Sequence, residues 1–182
     1  MNKPLVIVLM GSKSDEAHCK KITDALDGFG VEHETRVGSA HKTPAHVSAL
    51  LAEYEAGGRP RAYITVAGRS NALSGFVDGS VDAPVIACPP PSDAFGGADL
   101  YSSIRMPGGV APGLVLDPAN AALFAAKILG QVDDGIAARV RSFRSANAGA
   151  ILEDDKNACG KDHGRRLRSE EHTSELQSRQ VI

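Results

Sequence analysis

The chain has 182 residues, a length that suggests one domain with enough bulk to bury a core. A formal net charge of −2 argues against a general nucleic-acid binder, and no apolar run is long enough for a membrane span. Aromatic residues make up 4% and Trp is absent, so the core must be aliphatic and alanine-rich.

Leu5–Met10 is a short apolar run that reads as a strand buried on both faces; it is too short for a signal peptide. Gly11–Asp15 follows as a tight loop. Ile22, Ala25, Leu26 and Phe29 mark one helical face, and Gly30 stops that helix. Val31–Val37 alternates apolar and polar residues, as a strand nearer a sheet edge does. A second helix starts at Pro44, where a missing N–H costs nothing, carries Val47, Leu50, Leu51 and Tyr54 on one face, and ends at Gly57-Gly58. Ala62–Ala67 reads as a third strand, with Gly68–Asn71 as the loop after it. Pro84–Cys88 reads as a fourth strand, stopped by Pro89-Pro90-Pro91. A polar segment, Ser92–Gly109, precedes a fifth strand at Gly113–Leu116. Pro118–Leu129 predicts a helix apolar nearly all round, which must be covered on most sides by its own domain or another subunit. A last helix is predicted over Asp133–Ile151, with Ile136, Val140, Phe143 and Ile151 on its stripe and a neighbouring subunit as a possible dock.

Strands alternating with helices imply βαβ crossovers and a mainly parallel sheet. In such sheets ligands bind beyond the carboxyl ends of the strands. Three polar loops fall at those ends: Gly11–Asp15, Ser39–Lys42 and Gly68–Asn71. The expected domain covers 1–155, with 14 basic and 18 acidic side chains, net −4. The remaining stretch, 156–182, is net +2 and lacks a clear apolar period, so it reads as a disordered or non-native tail. Its Arg168–Arg179 portion looks like translated sequencing adapter and is set aside from fold reasoning. Cys19, Cys88 and Cys159 have no zinc or redox spacing, which suits reduced thiols in a cytoplasm.

Ser39-Ala40-His41-Lys42-Thr43-Pro44 sets a hydroxyl, an imidazole and an ammonium just before a helix start, where anions are favoured. Ser39 and Lys42 could grip a phosphate while His41 handles a proton; the alternative is a capped surface helix with an incidental histidine. Ser12, Ser14 and the backbone of Gly11 could also hold a phosphate. Asp15 either accepts ribose hydroxyls or caps the following helix. Arg69 at the end of a buried strand needs a partner, either an internal carboxylate or an anionic substrate. His18 and His33 stand apart from these motifs and read as surface residues. No histidine, cysteine or aspartate set has metal-ligand spacing.

In this order and spacing, Gly11-Ser12-x-Ser14-Asp15, Ser39-Ala40-His41-Lys42-Thr43, Ala67-Gly68-Arg69-Ser70-Asn71 and Ser102-Ser103-x-Arg105-Met106-Pro107-x-Gly109 resemble the PurE family of purine biosynthesis. The resemblance spans residues 4 to about 155. It implies a flavodoxin-like three-layer αβα sandwich with a mainly parallel five-stranded sheet and an extra C-terminal helix, assembled as a homo-oligomer, with the family's octamer expected. Class I members move a carboxyl group from N5 to C4 of the imidazole and usually carry arginine after the histidine and a second histidine loop. Lys42 and Gly68-Arg69-Ser70-Asn71 look like class II, which adds CO2 directly to 5-aminoimidazole ribonucleotide (AIR). The resemblance implies no cofactor, since C4 of AIR can attack CO2 without ATP, biotin or metal. It places His41, Lys42, Arg69 and Ser70 in catalysis. It places Gly11, Ser12, Ser14, Asp15, Ser39, Lys42, Gly68, Ser70, Asn71 and Leu73 against substrate. The alternatives are a class I mutase, a catalytically silent nucleotide- or flavin-binding module, and a purely structural oligomer.

Overall fold

A computed structural model describes residues 3–178, with side chains as far as Cys159. The chain divides into two units, Met1–Val140 and Arg141–Ile182. The first holds five strands in the order β2-β1-β3-β4-β5, every neighbouring pair parallel. They are β1 (Leu5–Met10), β2 (Glu32–Val37), β3 (Arg61–Val66), β4 (Val85–Ala87) and β5 (Gly113–Leu114). This is the flavodoxin-like order, with its reversal between β1 and β3.

β1 is buried at all six positions, because helices cover both sheet faces. Val6, Val8 and Met10 pack with Ile22 and Leu26 of α1 (Glu16–Gly28) and with Ala122, Ala125 and Ala126 of α5 (Pro118–Leu129). The alternate residues Leu5, Ile7 and Leu9 pack with Val47 and Leu51 of α2 (Pro44–Ala56) and Leu73 and Val77 of α3 (Ala72–Asp78). That period-two division generates the two cores. Ala121, Ala122, Ala125 and Ala126 of α5 are wholly buried and let α5 lie close to α1 in place of the missing aromatics.

Most expected elements stand within a few residues of their predicted bounds. The edge placement of β2 also holds, since it pairs with β1 alone. α3 is the element absent from the sequence reading; Gly75 and its seven-residue length hide its period. The polar segment Ser92–Gly109 contains a 3-10 turn at Ala94–Leu100 and a short α4 (Tyr101–Ile104). The last helix, α6, is Asp134–Ser178. Its Ile136 and Val140 join the first core, whereas Ile151 is exposed. In the second unit, Lys156 pairs with Glu153 at 3.7 Å. The tail expected over 156–182 overlaps the end of α6, and its last four residues lie outside the described ones. Among the described residues no helix is long and apolar enough to cross a membrane.

Gly38 closes β2 where the chain turns toward α2. Its N–H donates to the Met10 carbonyl at 2.9 Å, and a Cβ there would lie 2.8 Å from Val47 Cγ2. Gly28, inside α1, has open space around it. Gly38→Ala should therefore cost roughly 1–3 kcal/mol by overpacking, whereas Gly28→Ala should stabilise by up to about 1 kcal/mol through helix propensity. Urea denaturation midpoints of the two variants should shift in opposite directions.

Candidate active site

Because every strand is parallel, the loops after β1, β2 and β3 leave the sheet on the same side. They meet around a cavity of about 450 Å³, the size of an ordinary small-ligand pocket. Gly11, Ser12, Ser14, Asp15, Ser39, His41, Lys42, Gly68, Arg69, Ser70 and Leu73 all line it. Pro90, Pro91 and Ser92, from the loop after β4, complete the wall. These last three are residues the sequence reading left out; their place at the end of a fourth parallel strand was the available signal.

Each loop has its own local fastening. Ser12 caps the 3-10 turn Lys13–Asp15, its Oγ accepting from the Ser14 N–H at 3.3 Å and the Ser14 hydroxyl at 3.0 Å. Asp15 occupies the N-cap of α1, yet its carboxylate makes no capping bond. The choice left open by the sequence is thereby narrowed: the position is a cap, but the carboxylate is available to the cavity. Burial raises its pKa, against opposing pulls from the Ser12 backbone, His18 and the Ser14 hydroxyl. Ser39 and Thr43 lock the next turn. The Thr43 Oγ1 accepts from the Ser39 N–H at 3.0 Å, and the Ser39 Oγ accepts from the Lys42 N–H at 3.2 Å. That turn leaves the His41 and Lys42 side chains exposed at the rim.

The loop after β3 is held from below. Asn71 is buried and caps α3 by accepting from the Ser74 N–H at 3.2 Å. Its amide donates to Ser74 Oγ at 2.7 Å and Ser103 Oγ at 2.9 Å. Ser74 Oγ reaches Thr65 Oγ1 at 2.9 Å, and Thr65 in turn donates to the Ile86 carbonyl. Ser102 accepts from the Asn71 N–H at 2.9 Å, and its hydroxyl lies 3.1 Å from the Arg69 carbonyl. Between these fixed points Arg69 adopts φ +57, the left-handed region that non-glycine residues rarely enter. Its side chain is exposed, and among the described residues it forms no ion pair. Asn71, expected against substrate, has its side chain engaged in this network and does not line this cavity.

His18 departs from its expected surface position. It is half-buried, with Nε2 3.4 Å from Cys88 Sγ. Burial and Lys21 lower its pKa, with Asp15, the Cys88 backbone and Asp117 pulling it back up. Burial likewise pushes the Cys88 thiol up to about 12. Three cationic or proton-carrying side chains, His41, Lys42 and Arg69, thus share one cavity with a single carboxylate, Asp15. That balance suits an anionic ligand with hydroxyl groups.

The model of the AIR carboxylase family matches residues 5–149, which carry all of these loops. The chain belongs to the AIR carboxylase family. It is 60% identical to the phosphoribosylaminoimidazole carboxylase of Treponema denticola, over 84% of this chain and 96% of that protein. It is 51% identical to the enzyme of the same name from Archaeoglobus fulgidus, over 82% of each chain. The crystal structure of Treponema denticola PurE superposes with a TM-score of 0.83 at 59% identity, covering 85% of this chain and 98% of that one. The match to the AIR carboxylase family confirms the resemblance read from the four motifs, and the family's sheet is the one described above.

An ionised, partly buried Asp15 should cost the fold stability. Its folded-state pKa is raised, so the penalty is present at neutral pH and disappears as pH falls through that raised value toward the ordinary aspartate range. Asp15→Asn should therefore unfold at higher denaturant than the parent at pH 7. The gain should shrink on acidification, and a gain independent of pH would contradict this.

Proposed function

We propose that this protein is a class II AIR carboxylase, which adds CO2 directly to C4 of AIR to give 4-carboxy-AIR. The observation that carries the reading is the single cavity in which His41, Lys42 and the Arg69 loop meet. AIR is an electron-rich aminoimidazole. The C4 electron pair forms a bond to the carbon of CO2 while one C=O pair moves onto oxygen. The intermediate carries both hydrogen and carboxylate at C4. His41 removes the proton, and the ring regains aromaticity. One acid/base group suffices, typically worth ~10²–10⁴-fold in rate, and imidazole titrates in the useful range.

The remaining roles follow from charge and position. Ser12, Ser14, Ser39 and Lys42 bind the 5′-phosphate, with Gly11 and Gly68 letting the backbone approach. Asp15 accepts from the ribose hydroxyls. Arg69, which forms no ion pair among the described residues, meets the new carboxylate as charge develops on it; Ser70 donates beside it and Leu73 supplies an apolar wall. Asn71 acts through the loop it fastens. An arginine at this position, without an ion pair among the described residues, favours direct carboxylation over the class I mutase reaction, whose family loop carries a second histidine instead.

We assign catalysis to residues 1–155, in a cytoplasmic homo-oligomer, with an octamer as the expected size. His41 and Lys42 are exposed in the single chain, and neighbouring copies would shield them from water. Residues 156–182 take no part, so a chain ending at Asp155 should keep its specific activity.

His41→Asn should retain its fold and lose AIR carboxylation by ~10²-fold or more. Lys42→Ala should weaken AIR binding roughly 10- to 150-fold, the loss of about 1.5–3 kcal/mol from one charge-assisted hydrogen bond. Steady-state kinetics with AIR and CO2, with circular dichroism to verify folding, tests both; near-parental turnover by His41→Asn would remove His41 from the mechanism.

A further inference from the structure

A second cavity, of about 530 Å³, lies on the other side of the Arg69 loop. It shares Ala67, Gly68, Arg69, Pro90, Pro91 and Ser92 with the first. The two spaces are therefore divided by one thin wall, and part of that wall is Gly68, which has no side chain.

The lining of the second cavity is chemically distinct. Pro89, Pro90 and Pro91 run consecutively along it, joined by Leu100, Leu116 and Pro118. Proline has no N–H, so this stretch of the wall offers hydrocarbon and carbonyls but no backbone donors. Its two carboxylates already have partners. Asp99 accepts from the Ser92 hydroxyl at 2.9 Å, and Asp117 accepts from the Asn120 N–H at 2.8 Å as the cap of α5. The Ser103 hydroxyl is held by Asn71. The Asn71 amide is likewise engaged with Ser74 and Ser103, so His18, Lys21, Arg69 and the remaining acceptor sites of the two carboxylates are the polar groups that face the space.

We propose that this second cavity is the vestibule through which dissolved CO2 reaches the ring. The inference rests on the AIR carboxylase reading. With AIR seated, its phosphate on the serine loops and its ring under His41, the first cavity is filled from the solvent side. CO2 arriving after AIR would then need another direction. The space behind Gly68 and Pro90 adjoins the reacting side, and its proline wall accommodates a small, weakly polar molecule more readily than it orders water.

Leu116 and Leu100 test this from two separate elements, and neither lines the first cavity. Leu116→Trp and Leu100→Trp put an indole into the vestibule. Initial rates are measured over a series of CO2 pressures at saturating AIR, and over a series of AIR concentrations at saturating CO2, with carbonic anhydrase present to hold CO2 and bicarbonate at equilibrium. KM for CO2 should rise roughly tenfold in at least one folded variant while KM for AIR stays within about twofold, since only one substrate's access has changed. Decarboxylation of 4-carboxy-AIR, followed as release of CO2, should slow in the same variant. An unchanged KM for CO2 in both folded variants, or equal rises for both substrates, would overturn the vestibule. If the parental enzyme carboxylates AIR normally in that experiment, only the vestibule falls. A parental enzyme that fails to carboxylate AIR removes the functional reading along with it.

Discussion

The side chain of Asn71 ties together three pieces of chain that are distant in sequence. It caps α3, bonds Ser74 above the Thr65 side chain of β3, and reaches Ser103 in α4. All of these groups are buried, and a buried amide left without partners costs about 1–3 kcal/mol per unsatisfied group. The network is thus a strong constraint on geometry. It fixes the start of α3 against the segment carrying Ser102 and Ser103, and the residues between β3 and Asn71 must accommodate that span. Arg69 does so in a left-handed conformation, and its exposed side chain forms no ion pair among the described residues.

The same constraint links the two cavities. Gly68 and Arg69 form their common wall, and Pro90 packs against it, 3.4 Å from where a Gly68 Cβ would stand. Held by Asn71 and Ser102, the wall can separate a polar space from a proline-lined one without collapsing into either. Behind it, His18 and Cys88 join the start of α1 to the end of β4. The serine loop and the proline loop are therefore fastened to each other as well as to the sheet.

Much of this was legible in the residues. Alternating β and α signals imposed a parallel sheet, and a parallel sheet gathers its loops at one end; that rule alone brought residues 11–15, 39–42 and 68–70 together. The motifs named the chemistry. Asn71 was legible as a motif member but not as a brace, because its partners Ser103 and Thr65 lie far away in sequence and only packing shows that they converge. His18 was missed for a similar reason: its neighbour Cys88 is seventy residues on. α3 escaped because seven residues, one of them glycine, give too short a period to recognise. The polar, glycine-containing Ser92–Gly109 segment hid two short helical turns behind left-handed residues at Phe95, Gly96 and Gly97.

Direct capture of CO2 by AIR is the claim on which these arguments converge, and isotope tracing addresses it without any variant. The purified protein is supplied with AIR and ¹³C-labelled CO2 in the absence of ATP, and in parallel with unlabelled N5-carboxy-AIR in CO2-free buffer, with ¹³C NMR following the carboxyl carbon. The account predicts label on the C4 carboxylate in the first reaction and no efficient conversion in the second. Efficient use of N5-carboxy-AIR with no label incorporated from CO2 would contradict it and make the enzyme a mutase.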